Sequence, residues 1–300
     1  MKRLLALLFI VLGLTTTILG QSDLVYLEHD GIARSYRLYI PASAPTENIA
    51  LVIALHGGGG DGIGMLRLTK FNDVADDNGF IVVYPDGIDG SWNDGRIPDN
   101  RRLRERLDND DVGFISLLID TLISQYPINP EKVFVTGISN GGAMSHRLAC
   151  DLSDKISAIA VVTGNIPTTL DCQPTEPVSI LIINGTDDPL VLWDGTDNNR
   201  GDLRGTMESL TVWRDFLTCD ETPIIENLPD VDPNDQTTIY IETYTNCGDD
   251  QQLVLYAIEG GGHTWASGAQ YLPVAIIGRV SYDIVASEVI WNFFNSVSGG

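Results

Sequence analysis

Short, uninterrupted apolar runs dominate the chain after its first fifty residues. Ala50-Leu51-Val52-Ile53-Ala54-Leu55, Phe80-Ile81-Val82-Val83-Tyr84-Pro85, Val133-Phe134-Val135-Thr136, Ile159-Ala160-Val161-Val162, Val178-Ser179-Ile180-Leu181-Ile182-Ile183 and Leu253-Val254-Leu255-Tyr256-Ala257-Ile258 are rich in β-branched residues. Such runs predict strands covered on both faces, as in a parallel sheet. Val25-Tyr26-Leu27 and Ser35 to Ile40 come earlier, and in the second Arg37 between Tyr36 and Leu38 predicts a half-exposed edge strand. Between the strands the period changes. After Val112, residues Ile115, Leu118, Ile119, Leu122, Ile123 and Tyr126 share one helical face. A helical stretch runs from the glycine turn after Leu55 to Asn78, with Gly79 as its C-terminal cap. A closing helix buries Val289, Ile290, Phe293 and Phe294. Strands alternating with helices predict an α/β fold with a mostly parallel sheet of about eight strands, flanked by helices. No composition break divides residues 21–300, which read as one domain; Asp86 to Asp111 and Asn227 to Gln236 read as loops.

The most informative junction follows Thr136. Gly137-Ile138-Ser139-Asn140-Gly141 fits G-x-S-x-G between a predicted strand and the helix formers Ala143, Met144, His146, Arg147 and Leu148. Strand, tight turn and helix are the context of a nucleophile elbow, where the serine is strained and its flanking positions have no room for side chains.

In an open α/β sheet, functional residues gather beyond the carboxyl ends of the strands. Gly185-Thr186-Asp187-Asp188-Pro189 follows the Val178–Ile183 strand, and Gly260-Gly261-Gly262-His263-Thr264-Trp265 follows the last one. A serine hydroxyl needs a base to take its proton, and the imidazole needs a carboxylate to fix its tautomer. His263 is the only histidine at the end of a late strand, whereas His29 lies in the N-terminal segment and His146 sits along the helix after Ser139. The expected catalytic residues are Ser139, Asp188 and His263, in the α/β-hydrolase chain order, with Asp188 chosen over Asp187 by its G-x-x-D spacing from Gly185. The developing oxyanion needs two donors. The Asn140 amide is one, and Gly58 of the His56-to-Gly60 turn is the other, with Gly57 as alternative. No Gly-Lys-Ser/Thr follows that turn, so it does not cradle phosphate.

Charge and cysteines add the setting. Met1-Lys2-Arg3 and the apolar Leu4 to Leu14 have the form of a secretory leader, expected to span residues 1–20 and end near Gly20–Gln21. The net charge is −23, which argues against nucleic acid or an anionic membrane as partner. Cys150, Cys172, Cys219 and Cys247 are an even number in an oxidising compartment and predict two disulfides. Of three connectivities the sequential one closes the shortest loops. Five arginines, Arg96, Arg101, Arg102, Arg104 and Arg106, crowd the Asp86–Asp111 loop, either paired with Glu105, Asp108, Asp110 and Asp111 or presented to substrate. Metal ligation is not expected, since His-Glu-x-x-His is absent and the four histidines are scattered. Asp230-Val231-Asp232-Pro233-Asn234-Asp235 opens like a calcium loop, but Asp235 stands where glycine is needed and Ile241 where glutamate is.

His56-Gly57-Gly58, Ser91-Trp92-Asn93, Asp110-Asp111-Val112-Gly113-Phe114, Gly137 to Gly142, Gly185 to Asp188, Gly262-His263-Thr264-Trp265 and Ile290-Trp291-Asn292-Phe293-Phe294 stand in an order that resembles the secreted polyhydroxybutyrate depolymerase/feruloyl esterase family, itself similar to carbohydrate esterase family 1. The resemblance implies an α/β-hydrolase fold and a cofactor-free serine esterase. It also implies Trp92 and Trp265 as substrate contacts, and a monomer acting on an ester substrate that can be polymeric. The family pattern is broken at Asp94, Asn184, Leu192-Trp193 and Ala266, which leaves the reaction intact and changes the pocket walls. A peptidase on the same fold and a non-catalytic carbohydrate-binding protein are the alternatives.

Overall fold

The computed structural model describes residues 22–99 and 104–297; the expected leader, Arg101 and Arg102 lie outside them. The described residues form one ten-stranded sheet with strand order β1-β2-β4-β3-β5-β6-β7-β10-β9-β8. Its strands are β1 (Asp23–His29), β2 (Ile32–Tyr39), β3 (Ile49–Leu55), β4 (Ile81–Pro85), β5 (Ile128–Ile138), β6 (Ala158–Val162), β7 (Ser179–Gly185), β8 (Ile224–Asn227), β9 (Thr238–Tyr244) and β10 (Leu253–Glu259). The six central strands, from β4 to β10 in that order, are parallel. Antiparallel pairs flank them on both sides. All carboxyl ends of the parallel set therefore open on one edge, where β5 delivers Ser139 and β10 delivers His263.

The buried runs behave as their composition requires. Every residue of β3, β4, β6 and β7 is buried, because helices cover both faces. On one side Val133, Val135 and Ile159 pack with α3 (Asp111–Gln125), α4 (Asn140–Asp151) and α5 (Thr206–Phe216). On the other Val52, Phe134 and Val162 pack with α1 (Gly62–Thr69), α2 (Phe71–Asn78) and α7 (Ala286–Val297), and Phe134 stacks on Phe294 at 4.7 Å. A four-residue helix, α6 (Val274–Ile277), completes the set.

Three expectations need correction. The sheet has ten strands rather than about eight, because β8 and β9 extend it beyond β10. β9 carries the β-branched and aromatic residues of a strand, whereas β8 is a four-residue, fully exposed edge with little to mark it. β2 is internal; β1 covers the side that Arg37 was expected to leave open, although the alternation of burial along β2 is present. The predicted single helix after Gly62 is two, broken at Lys70 with φ 52°, and Gly79 caps the second at φ 77°. Both disulfides follow the sequential pairing, Cys150–Cys172 and Cys219–Cys247.

The Asp86–Asp111 loop is anchored by a buried ion pair. Arg34 donates to Asp111 Oδ1 at 2.7 Å and lies 4.0 Å over the Phe114 ring, while Asp111 Oδ2 accepts the Asn93 amide at 2.7 Å. Two carboxylates expected to neutralise the arginine-rich loop are thus engaged elsewhere, Asp111 with Arg34 and Asp110 with His29 at 3.0 Å.

Candidate active site

Ser139 sits between β5 and α4 with φ 58° and ψ −119°. This left-handed backbone is strained for a residue with a side chain. Its amide donates to Val162 of β6 at 3.0 Å, which ties the turn to the neighbouring strand. A side chain at Gly137 would strike the Gly141 carbonyl, and one at Gly141 would strike the Leu55 carbonyl. The two motif glycines are there because strand, turn and helix nearly touch. Ser139 remains partly exposed among buried neighbours.

His263 and Asp188 meet beyond the ends of β10 and β7. His263 Nδ1 lies 2.7 Å from Asp188 Oδ2, and both side chains are buried. The other carboxylate oxygen, Oδ1, accepts the amides of Leu190 at 2.8 Å and Val191 at 2.9 Å. Oδ2 is left to accept a hydrogen bond from Nδ1–H, which keeps the proton on Nδ1 and leaves Nε2 as the basic atom of the ring. Asp187 is exposed, and its carboxylate accepts from the Thr186 hydroxyl at 3.4 Å. It contributes main chain instead. Its amide donates to Gly261 at 2.9 Å, and Thr186 Oγ1 accepts the Gly260 amide at 2.9 Å, so the two loops are laced together.

The backbone of His263 is held on both sides. Its amide donates to the Ile277 carbonyl at 2.5 Å, and its carbonyl accepts from the Tyr271 hydroxyl at 2.7 Å. Burial, with Asp188 adding to it, pushes the Tyr271 pKa up to about 12, so this hydroxyl remains a donor through the neutral range. Tyr271 lies on an excursion after β10 that no motif in the sequence marks.

The turn expected to supply the second oxyanion donor faces the elbow. A methyl group at Gly57 would lie 3.4 Å from Ser139 Cβ, and one at Gly58 would lie 3.8 Å from Asn140 Cβ. Asn140 opens α4, where first-turn amides have no intrahelical acceptor. Its side chain has a second task that pattern alone did not reveal. Oδ1 accepts the Trp92 amide at 2.8 Å and the Ser91 hydroxyl at 3.1 Å, while Nδ2 donates to the Trp92 carbonyl at 3.1 Å and to Asp94 at 2.6 Å.

The two tryptophans expected to touch substrate are core residues. Trp92 is 2% exposed, with its indole N–H on the His56 carbonyl at 3.0 Å. Trp265 is 1% exposed, bonded to the Ser287 hydroxyl at 3.1 Å and set edge-on to Phe71. Both support the site from behind, where the apolar rings gain more from burial than from a wet rim. His146 is packing too. It is fully buried with Nδ1 accepting from Trp213 Nε1 at 3.0 Å, and burial lowers its pKa to about 3. The loop that opens like a calcium site spends its carboxylates internally, Asp232 on Asn234 and Asp235 on Thr237 and Tyr282.

Residues 34–200, more than half of the chain, match the family described as Esterase PHB depolymerase. The chain belongs to that family. It is a serine ester hydrolase with the α/β-hydrolase fold. Over 277 residues it is 29% identical to NocK of Nocardia uniformis subsp. tsuyamanensis, covering 88% of this chain and 79% of that protein. It is 28% identical over 204 residues to feruloyl esterase B of Piromyces equi, covering 64% of this chain but only 35% of that longer protein. Acetyl xylan esterase from Aspergillus awamori shares the fold, with a TM-score of 0.59 at 19% identity over 81% of this chain and 94% of that one.

Proposed function

We propose that Ser139, His263 and Asp188 are the catalytic triad of this esterase, working through an acyl-enzyme. The observation that carries the proposal is the buried Asp188–His263 hydrogen bond, with the second Asp188 oxygen occupied by two amides of its own loop. It leaves His263 Nε2 as the base for a serine that the elbow holds at the same edge of the sheet. Ser139 Oγ attacks the ester carbonyl while Nε2 takes its proton, and the carbonyl oxygen becomes an oxyanion facing the Asn140 and Gly58 amides. Collapse breaks the acyl–oxygen bond, and His263 returns the proton to the departing alcohol. Water then enters, activated by the same Nε2, and releases the acid and free Ser139.

The substrates proposed are acyl or feruloyl esters of plant polysaccharide and hydroxyalkanoate-type polyesters. They are supported by the family description and by relatives named for feruloyl and acetylxylan ester hydrolysis. An extracellular or periplasmic location is proposed on the leader-like start and the two disulfides. No helix among the described residues is long and apolar enough to cross a membrane. The test is nitrophenyl-ester hydrolysis with and without a serine-directed fluorophosphonate, followed by methyl ferulate, acetylated xylan and short hydroxybutyrate oligomers. Hydrolysis that continues after Ser139 is labelled would overturn the triad proposal.

A further inference from the structure

We propose that His56 is a positioning residue for the oxyanion hole, setting the plane of the Gly57–Gly58 peptide so that the Gly58 amide faces the carbonyl under attack. The proposal rests on the serine-esterase reading of the site given above. No peptide bond in the described residues is cis. In a planar trans unit the carbonyl of Gly57 and the N–H of Gly58 point in opposite directions. The direction of one therefore dictates the other.

The carbonyl is held by two donors. Gly57 O lies 2.8 Å from His56 Nδ1 and accepts the Gly60 amide at 3.0 Å. Both draw it to one side of the turn, which sends the Gly58 N–H to the other. The elbow lies beside this turn, since a methyl group on Gly57 would stand 3.4 Å from Ser139 Cβ and one on Gly58 3.8 Å from Asn140 Cβ, and the proposal is that the Gly58 N–H is turned toward it. Two consecutive glycines have little preference of their own about where this plane lies. An outside group has to set it, and His56 does so.

The tautomer is decided by the second ring nitrogen. Nε2 lies 2.9 Å from the Gly87 amide, which can only donate, so Nε2 presents its lone pair and the proton is on Nδ1, facing the Gly57 carbonyl. Both contacts need the neutral ring. Burial favours it and lowers the pKa, against the opposing pull of the Gly57 carbonyl and of Asp86, Asp61 and Asp111. The ring cannot drift, since it lies 5.0 Å from the Trp92 ring, whose indole is anchored on the His56 carbonyl. His56 thus joins the end of β3 to the loop after β4 and aims a peptide at the nucleophile without touching substrate.

Two variants separate the contacts. In His56→Asn the amide nitrogen sits near the place of Nδ1 and keeps the donor to Gly57. In His56→Gln the amide oxygen reaches the place of Nε2 and keeps the acceptor for Gly87 but loses the donor. The measurement is kcat and KM for a neutral ester and for its thionoester, whose sulfur is a weak acceptor and gains little from an oxyanion hole. The wild-type protein should strongly prefer the oxygen ester. His56→Gln should lose about 10- to 100-fold in kcat with KM little changed, and its preference for the oxygen ester should shrink about as much. His56→Asn should keep most of both, with thermal unfolding showing that each variant is folded. An unchanged oxygen-to-sulfur preference in folded His56→Gln, or an equal loss in both variants, would overturn the positioning role while the esterase reading stands. A wild-type protein that makes no distinction between the two esters would overturn the oxyanion-hole reading itself, and this proposal with it.

Discussion

Asn140 grips the main chain of Trp92 from both sides, accepting its amide at 2.8 Å and donating to its carbonyl at 3.1 Å. The residue after the proposed nucleophile would therefore serve twice, its amide at the proposed oxyanion hole and its side chain in the loop behind it. Truncation in Asn140→Ala would leave buried polar groups of Trp92 and Asp94 without their partner. A loss of about 1–3 kcal/mol in urea unfolding is expected, with a fall in kcat smaller than that of Ser139→Ala. Asn140→Asp should be worse than alanine, because a second carboxylate would face Asp94, which now accepts from Nδ2 at 2.6 Å. Equal stability of the wild type and both variants would show that the clamp contributes nothing.

Ser139→Ala, His263→Ala and Asp188→Asn should each lower ester turnover by about 10³-fold or more while the melting transition stays near that of the wild type. Triad members act as a unit, so Ser139→Ala combined with His263→Ala should be hardly worse than either alone. Asp187→Asn should be mild, because Asp187 holds the His263 loop through its amide rather than its carboxylate. A severe Asp187→Asn beside a mild Asp188→Asn would reverse the assignment of the acid.

The elements that motif and spacing could reach are the ones whose cause is local. Gly137 and Gly141 are required by backbone contacts within one turn, and the buried runs of β3 to β7 follow from being covered on both faces. Spacing from Gly185 also chose Asp188 over Asp187, which agrees with the hydrogen bond to His263. What escaped depends on partners distant in the chain. Trp92 and Trp265 stand beside motif residues, yet their rings turn into the core because His56 and Ser287 offer partners there. Tyr271 and the Asn140 side chain act through main-chain groups, which no side-chain pattern reports. β9 could have been recognised from its alternating aromatic and β-branched residues. β8, four exposed residues on an edge, could not.

Reduction should destabilise the protein in two steps of similar size. The bridges close loops of 22 and 28 residues, each worth about 3.5 kcal/mol in the chain-entropy account. Cys150 ends α4, the helix that begins at the elbow, so Cys150→Ala with Cys172→Ala should reduce heat tolerance and activity together. The Cys219 and Cys247 pair lies away from the elbow, between the end of α5 and the turn after β9, and its removal should lower the melting temperature more than kcat. A melting temperature unmoved by reductant under denaturing-competent conditions would contradict both bridges.

His146 makes acid stability measurable at one residue. Its folded pKa of about 3 lies well below the unfolded value of about 6.5, because burial disfavours the charged ring. Between those values the unfolded chain binds the proton and the native state does not, so stability rises with pH and is lost as pH falls from about 6.5 toward 3. His146→Gln can still accept from the Trp213 indole through its side-chain oxygen and does not titrate. Unfolding free energies measured across this window should show a shallower slope in the variant. Parallel slopes would mean that His146 is not held neutral by the fold.

The arginine-rich loop divides into two kinds of residue. Arg96 is structural in its contacts: its guanidinium donates to Asp94 Oδ2 at 2.8 Å and 2.6 Å, and the same oxygen accepts from Asn140 Nδ2. It therefore supports the elbow, and Arg96→Gln should lower kcat for neutral and anionic esters alike, independent of salt. Arg104 is different. It is exposed, with its Nε on the Pro98 carbonyl at 2.6 Å, so charge remains at the surface. Against a net charge of −23, the exposed Arg104 would make a local attractive field for uronate-bearing or acid-terminated esters, to which Arg101 and Arg102, its neighbours in sequence, would add their charge. Replacing Arg101, Arg102 and Arg104 together by Gln should raise KM for an anionic ester several-fold at low ionic strength. The difference should shrink at about 1 M salt, where screening acts within about 3 Å, and a neutral ester of equal size should be unaffected. Equal changes for both esters would remove the steering role and leave Arg96 as the loop's contribution to catalysis.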